Sequence, residues 1–289
     1  MKHLTIPGGG AFGAFPAAVL DRVPPETLRK VGSVSGTSIG SLMALSIGLR
    51  KTEGLHAFFQ QRVDQIFAGY FWRHYLSYPM PRYRDKALIA ALREWFGDAR
   101  LGDIEVPAWV VATHASGRPK VFFNRDVADS QVPIWEVCRA SCAAPTYFQW
   151  WRGKADGGMC ANNPAMVGLS GLIGDCGYTL NQVSVLKIGT GHAPLIDEEG
   201  NDLNNATGPL TIMGTVNFVR TALFEGAVDA MIDYEAETLL GQHRYKIVDF
   251  ATGEDWNMDD PRTARRIVRH YDRHILQGAI DVVRFLEQV

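Results

Sequence analysis

The chain has 289 residues, of which 46% are hydrophobic and 21% charged, and this length can form one large α/β domain with a substantial core. Its 29 Lys and Arg residues nearly balance its 31 Asp and Glu residues, so overall charge gives no indication of nucleic-acid binding. Zinc-ligand spacing is missing among the four cysteines, which also do not indicate a disulfide framework.

Strand and helix patterns alternate along most of the chain. Strands are predicted at 3–7, 31–35, 107–113, 118–123, 150–155 and 182–189. Helices are predicted near 14–21, 38–49, 53–69, 84–96 and 131–142. This alternation predicts the α/β class, with a mainly parallel sheet sandwiched by helices. Beyond about residue 205 the pattern turns helical, and 259–289 has the apolar spacing of packed amphipathic helices.

A cluster of glycines follows the first predicted strand and comprises Gly8, Gly9, Gly10 and Gly13. Their unshielded backbone N–H groups suit an anion, either a phosphate or the oxyanion of a tetrahedral intermediate. The cluster also fits G-x-G-x-x-G, so a non-catalytic nucleotide-binding module is one alternative. That alternative is weaker, because the second predicted strand ends in Ser-Gly where a dinucleotide site needs an acidic residue.

The second predicted strand runs into Gly36-Thr-Ser-Ile-Gly40, and an apolar helix follows at once. Strand, G-x-S-x-G turn and helix in this order are typical of a nucleophile elbow. Ser38 has to adopt a strained turn there, and Gly36 and Gly40 let strand and helix approach closely. The helix N-terminus beyond the turn favours developing negative charge. The pattern therefore predicts Ser38 as a nucleophile.

Asp156 stands at the end of a predicted strand and precedes Gly157 and Gly158. An aspartate in this position can point into a site, although an ordinary Asp-Gly turn has the same sequence. A carboxylate is a weak base for a serine hydroxyl, so the role requires a desolvated Asp close to the hydroxyl oxygen. A conventional triad uses a histidine as the base instead, and His192 is the only well-placed candidate for that role.

Taken together and in this order, these segments resemble the patatin-like phospholipase family. Residues 140–148 are similar to its A-S-x-A-A-P segment, 156–164 to its aspartate loop, and 187–191 to its S-L-G-T-G strand end. The resemblance covers about residues 3 to 191. It implies one patatin-like, three-layer domain over 1–289, with a helical remainder at about 205–289.

The resemblance implies a Ser–Asp dyad, with Ser38 as nucleophile and Asp156 as base. The implied oxyanion donors are the N–H groups of Gly8, Gly9, Gly10 and Ile39. The glycines implied to shape the motifs are Gly13, Gly36, Gly40, Gly157 and Gly158. The family assigns no histidine. It often has Arg or Lys where this chain has Phe12, so any contact of that cation is missing here.

The implied function is a lipid acyl hydrolase of phospholipase A type, a carboxylic ester hydrolase that releases free fatty acid without metal or cofactor. The implied partners are a lipid ester and, transiently, a membrane surface, but no nucleic acid. An alternative keeps this chemistry in a regulated, membrane-damaging bacterial effector that needs an activator. The sequence specifies neither headgroup, acyl chain, cleaved position nor oligomeric state.

Two regions are candidates for lipid contact. The aromatic residues between 58 and 83 suit a membrane surface or a flap over the acyl site, and equally a packed helical cap. The arginines between 262 and 273 suit anionic headgroups, although nearby aspartates favour a solvated helix face. No apolar run approaches the roughly 20 residues of a membrane span and no N-terminal apolar signal is seen, so we expect a cytoplasmic protein, peripheral at the inner membrane face. The polar stretch 197–206 is the best candidate for disorder.

Overall fold

A computed structural model describes residues 1–68, 81–192, 227–252 and 256–288. In these residues the strands are β1 (Lys2–Ile6), β2 (Ser33–Thr37), β3 (Ala108–His114), β4 (Pro119–Phe123), β5 (Lys154–Asp156), β6 (Ser184–Ile188) and β7 (Tyr245–Val248). The helices are α1 (Ala14–Asp21), α2 (Pro25–Leu28), α3 (Ile39–Gly48), α4 (Leu55–Ile66), α5 (Asp85–Phe96), α6 (Ile134–Ser141), α7 (Gly158–Ala161), α8 (Ala165–Gly174), α9 (Ala227–Leu240), α10 (Pro261–His270) and α11 (Asp272–Glu287).

The described strands form one seven-stranded sheet in the order β4-β3-β2-β1-β6-β7, with β5 paired to β3. All neighbours pair in parallel except β4 and β5, which both run antiparallel to β3. The predicted mainly parallel sheet is confirmed. Because β1 and β2 are parallel neighbours, the glycine loop after β1 and the turn after β2 meet at the same edge of the sheet.

Helices cover both faces of the sheet, as predicted for a three-layer fold. Successive residues of β3 show this: Val110 belongs to one hydrophobic cluster with helices α1, α3 and α11, and Trp109 to another with α8 and α9. Helix α8 lies very close to its face, since a Cβ at Gly171 would lie 2.3 Å from the ring of Trp109. Packing, more than local pattern, therefore decides where α8 sits.

The structure differs from the predicted elements most clearly in three places. The strand predicted at 150–155 begins only at Lys154, because the chain turns through Arg152 and Gly153, both at positive φ. Helix α8 was missed, since its three glycines weaken the helical pattern. The helical C-terminal portion is confirmed by α9, α10 and α11, and it also contributes β7, which the pattern did not indicate.

Helix α10 has a local start signal that explains its boundary. Asp260 accepts the N–H of Arg262 at 2.8 Å, and Pro261 occupies the first helical position. Arg265 of the arginine stripe pairs with Asp64 at 2.7 Å, and Arg262 pairs with Asp260. These arginines thus meet carboxylates of the same chain, as the solvated-face interpretation expects.

The described part of the aromatic segment packs inward. The rings of Phe58 and Trp95 lie 4.7 Å apart, and those of Phe67 and Tyr83 5.3 Å apart. The remaining aromatic residues of that segment, from 70 to 78, and the stretch 197–206 lie outside the described residues. Among the helices that are described, none combines the length and apolar character needed to cross a membrane.

Candidate active site

Ser38 occupies a strained turn between β2 and α3. Its φ of 50° and ψ of −126° are rare for a residue with a side chain, and such a conformation costs on the order of 1–3 kcal/mol. A Cβ at Gly36 would lie 2.6 Å from the carbonyl oxygen of Gly40, and one at Gly40 would lie 2.1 Å from that of Ile6. Both contacts are with backbone, so only glycine fits on either side of this turn.

The Ser38 side chain contacts Asp156, a residue far away from it in the sequence. Ser38 Oγ donates a hydrogen bond to Asp156 Oδ2 at 2.7 Å, and the N–H of Gly158 donates to Oδ1, also at 2.7 Å. Asp156 ends β5, whose pairing with β3 brings it to this edge of the sheet. A Cβ at Gly157 would lie 2.2 Å from the carbonyl oxygen of Val111, so the aspartate loop passes very close to β3.

The carboxylate of Asp156 is shielded from water, and this shielding makes it more basic than an exposed carboxylate. The residue is only 6% exposed, and burial raises its pKa to about 6. Hydrogen bonds from Ser38 and Gly158 and the positive charge of Arg139 oppose that rise. At pH 7 the group is therefore mostly ionised, yet it binds a proton far better than a surface aspartate does.

The glycine loop supplies backbone donors of two kinds. The N–H of Gly8 donates to the carbonyl of Asn162 at 3.2 Å, so in this structure it is not free to bind an oxyanion. Gly9, Gly10 and Ile39 line the same cavity as Ser38, and their N–H groups have no acceptor among the described residues. Oxyanion binding by the N–H groups of these three residues is a proposal. Gly8 differs from them because its N–H is already bonded to Asn162.

Ser38 and Asp156 open into an apolar cavity of about 360 Å³. Asp156 is the only Asp, Glu, Lys or Arg among the described residues that line it. The apolar lining residues are Ile39, Phe59, Val63, Ile66, Phe67, Leu88, Ala144, Pro145, Phe148, Met159 and Met258. A site of this kind suits a hydrocarbon chain beside the reacting groups.

His192 does not join Ser38. Its Nδ1 lies 3.7 Å from Oδ2 of Asp249, whose carboxylate raises the pKa of His192, and the residue does not line the cavity. Phe12, where the family often has a cation, packs against the hydrophobic core. Within the described ranges, no three His, Cys, Asp or Glu side chains are grouped as metal ligands would be.

Sequence reasoning missed several residues that shape this site. Ser141 accepts the N–H of Ser38 at 2.7 Å, and Asn162 binds Asp229 of α9 through its side chain at 2.8 Å. Arg139 is fully buried and pairs with Asp85 at 2.6 Å. Ser141 and Asn162 lie in segments already singled out, but their roles depend on contacts with distant parts of the chain.

Comparison with known proteins adds independent findings. A family model described as "Patatin-like phospholipase" matches residues 4–169, more than half of the chain. The chain is 28% identical over 210 residues to "Protein teg" of Priestia megaterium, covering 67% of this chain and 64% of that protein. It is 28% identical over 230 residues to a "cGAMP-activated phospholipase" of Vibrio cholerae, covering 66% and 64%.

A mammalian relative matches as well. The "85/88 kDa calcium-independent phospholipase A2" of Rattus norvegicus is 26% identical over 234 residues, which cover 69% of this chain and 28% of that protein. In all three pairs the match spans less than two thirds of the relative's length.

Proposed function

From the premise that this chain belongs to the patatin-like phospholipase family, we propose that it is a serine acyl hydrolase that cleaves ester bonds of membrane phospholipids. The membership confirms the resemblance seen in the sequence. The observation that carries the proposal is the 2.7 Å hydrogen bond from Ser38 Oγ to Asp156 Oδ2 inside an apolar cavity. The proposed nucleophile and base are thereby in contact with each other, and space for a hydrocarbon chain lies beside them.

The acylation step uses both side chains. Asp156 takes the proton of Ser38 as Oγ attacks the ester carbonyl carbon, and the N–H groups of Gly9, Gly10 and Ile39 bind the oxyanion that forms. The ester C–O bond then breaks, and the proton passes from Asp156 to the departing alkoxide. The products of this step are an acyl-enzyme and the deacylated lipid.

Deacylation repeats the sequence with water. Asp156 takes a proton from a water molecule, whose oxygen attacks the acyl carbon of the acyl-enzyme. The bond from that carbon to Ser38 Oγ breaks, and Oγ regains the proton held by Asp156. A free fatty acid leaves, and both residues return to their starting states.

The apolar cavity favours this function over nucleotide binding. No Lys or Arg is found among the described residues that line the cavity, so a nucleotide phosphate would have no cationic side chain to bind there. Gly8, the first glycine of the G-x-G-x-x-G pattern, already donates its N–H to Asn162. A phospholipid instead places its acyl chain in the cavity and its headgroup outside it, which requires transient contact with a membrane surface.

The direct test is fatty-acid release from mixed phospholipid vesicles by the purified chain, with a metal chelator present. We expect release by the wild type and a loss of at least about 1,000-fold in Ser38→Ala and Asp156→Ala. Ser116→Ala, a change at an exposed serine, serves as the matched control and should retain activity. Full release by Ser38→Ala would end the proposal.

A second candidate function is the same chemistry held inactive until an activator arrives, as in a membrane-damaging bacterial effector. The name of the Vibrio cholerae relative, a cGAMP-activated phospholipase, favours it. It predicts a wild type that releases little fatty acid alone and much more after addition of a cyclic dinucleotide. Equal rates with and without such compounds, at a high basal rate, would contradict this second candidate.

A further inference from the structure

The last residue of α6, Ser141, joins the nucleophile turn to the centre of the sheet. Its Oγ accepts the N–H of Ser38 at 2.7 Å and donates to the carbonyl of Val111, in β3, at 2.6 Å. Ser141 is fully buried. The hydroxyl therefore uses its one proton and one lone pair to tie the backbone of Ser38 to a fixed strand.

The same short segment also holds the base. The carbonyl of Ser141 accepts the N–H of Gly157 at 3.1 Å, and the carbonyl of Ala143 accepts the N–H of Asp156 at 3.0 Å. The end of α6 thus contacts the backbone of both Ser38 and Asp156, which are far apart in sequence. One short segment therefore bonds to the backbone of both residues.

The strained conformation of Ser38 makes this contact important. A residue at φ 50° and ψ −126° stays there only when its surroundings hold both of its peptide groups. The carbonyl oxygen of Ser38 accepts a hydrogen bond from the Ser41 hydroxyl at 2.6 Å and another from the Ser41 backbone N–H at 2.9 Å. The N–H of Ser38 has Ser141 alone among the described residues.

We infer that Ser141 is a positioning residue of the acyl-transfer reaction, which holds Ser38 Oγ in line with Asp156 without touching the substrate. The inference rests on the proposed function, because it presupposes that Ser38 is the nucleophile. Ser141 does not line the cavity. Its loss should therefore reduce the reactivity of Ser38 and leave lipid binding almost unchanged.

The experiment compares Ser141→Ala with Ser46→Ala. Ser46 is an equally buried serine of α3, whose Oγ donates to the carbonyl of Leu42 at 2.6 Å and accepts Trp95 Nε1 at 2.8 Å, away from the dyad. One readout is the rate at which a fluorophosphonate labels Ser38. The other is kcat and KM for fatty-acid release, with folding checked by circular dichroism.

We expect Ser141→Ala to lower the labelling rate and kcat on the order of 10- to 100-fold, with KM within about twofold, because small misplacements of reacting groups cost rates of this size. Ser141→Thr, which keeps the hydroxyl, should recover part of the loss. Ser46→Ala should stay within about threefold of the wild type. If Ser141→Ala does not fold, Ser141→Cys replaces it, since sulfur is a weaker acceptor.

Labelling and kcat within about threefold of wild type in a folded Ser141→Ala would overturn the inference, as would an equal loss in Ser46→Ala. The two proposals fail in different ways. A wild type that is labelled at Ser38 but releases no fatty acid, with or without a cyclic dinucleotide, contradicts the proposed substrate, and the labelling rates still decide the role of Ser141. A wild type that is neither labelled nor active, with or without a cyclic dinucleotide, overturns both, because no activated serine is then present.

Discussion

We expect the acid limb of the pH–rate profile to depend on the buried carboxylate of Asp156. As the proposed base, Asp156 must be ionised to accept the proton of Ser38, so activity should be present above its pKa and be lost as the pH falls through it. With a pKa of about 6, about nine tenths of the enzyme is competent at pH 7 and about one tenth at pH 5. An aspartate at its ordinary value of 3.8 would still be more than about nine tenths ionised at pH 5.

The assay is kcat/KM for ester hydrolysis between pH 4.5 and 8, a range of about three and a half units, since kcat/KM reports groups of the free enzyme. Tryptophan fluorescence in the same buffers shows whether the chain is folded at each pH. We expect roughly a tenfold loss from pH 7 to pH 5, unchanged in His192→Gln. A profile flat to pH 4.5, or an acid limb that disappears in His192→Gln, would refute the assignment of Asp156 as the base.

Three further predictions concern stability. Burial lowers the pKa of His3 to about 3 from 6.5, so the unfolded chain takes up a proton that the folded chain does not. Between pH 6.5 and about 3, the free energy of unfolding should therefore fall by about 1.4 kcal/mol per pH unit through this group. Urea denaturation measures this as the difference between wild type and His3→Gln, and a difference that stays constant with pH contradicts it. Asp156→Asn should abolish activity and yet raise the free energy of unfolding by about 1–3 kcal/mol at pH 8, because the raised pKa of Asp156 means that its ionised form destabilises the fold at high pH. Denaturation at pH 8 that shows no gain in this free energy would count against burial as the cause. Gly40→Ala should lower the free energy of unfolding by at least about 3 kcal/mol, since its Cβ would lie 2.1 Å from the carbonyl oxygen of Ile6. In Gly174→Ala the new Cβ has nothing within 4 Å, and the free energy of unfolding should stay within about 1 kcal/mol of the wild type. Thermal unfolding of the two variants side by side tests this, and equal midpoints would disprove it.

Local features of the fold were predictable because they depend on short-range sterics. The turn at Ser38 needs glycine on both sides, and that requirement is written directly in the pattern from Gly36 to Gly40. The alternation of strands and helices likewise predicted the mainly parallel sheet. The start of β5 was placed wrongly, since the turn through Arg152 and Gly153 leaves no simple signal in an aromatic stretch.

The boundaries of the candidate site were less predictable. The glycine loop after β1 was predicted as a set of oxyanion donors, and that role stays a prediction. The bond from Gly8 to Asn162 was not foreseen, because it joins two segments that only folding brings together. The pairing of His192 with Asp249 is of the same kind. A single domain across residues 1–289 and the catalytic roles of the site residues stay predictions.

The sequence by itself determined which residues are candidates for the chemistry, because a strained serine turn and an aspartate between a strand end and glycines are local patterns. Only the tertiary structure decided that Ser38 and Asp156 share a 2.7 Å hydrogen bond, that burial raises the pKa of Asp156, and that Ser141 accepts the N–H of Ser38. Distances and burial depend on how distant segments pack against a common sheet. Packing of that kind is a property of the whole chain, and no short pattern specifies it.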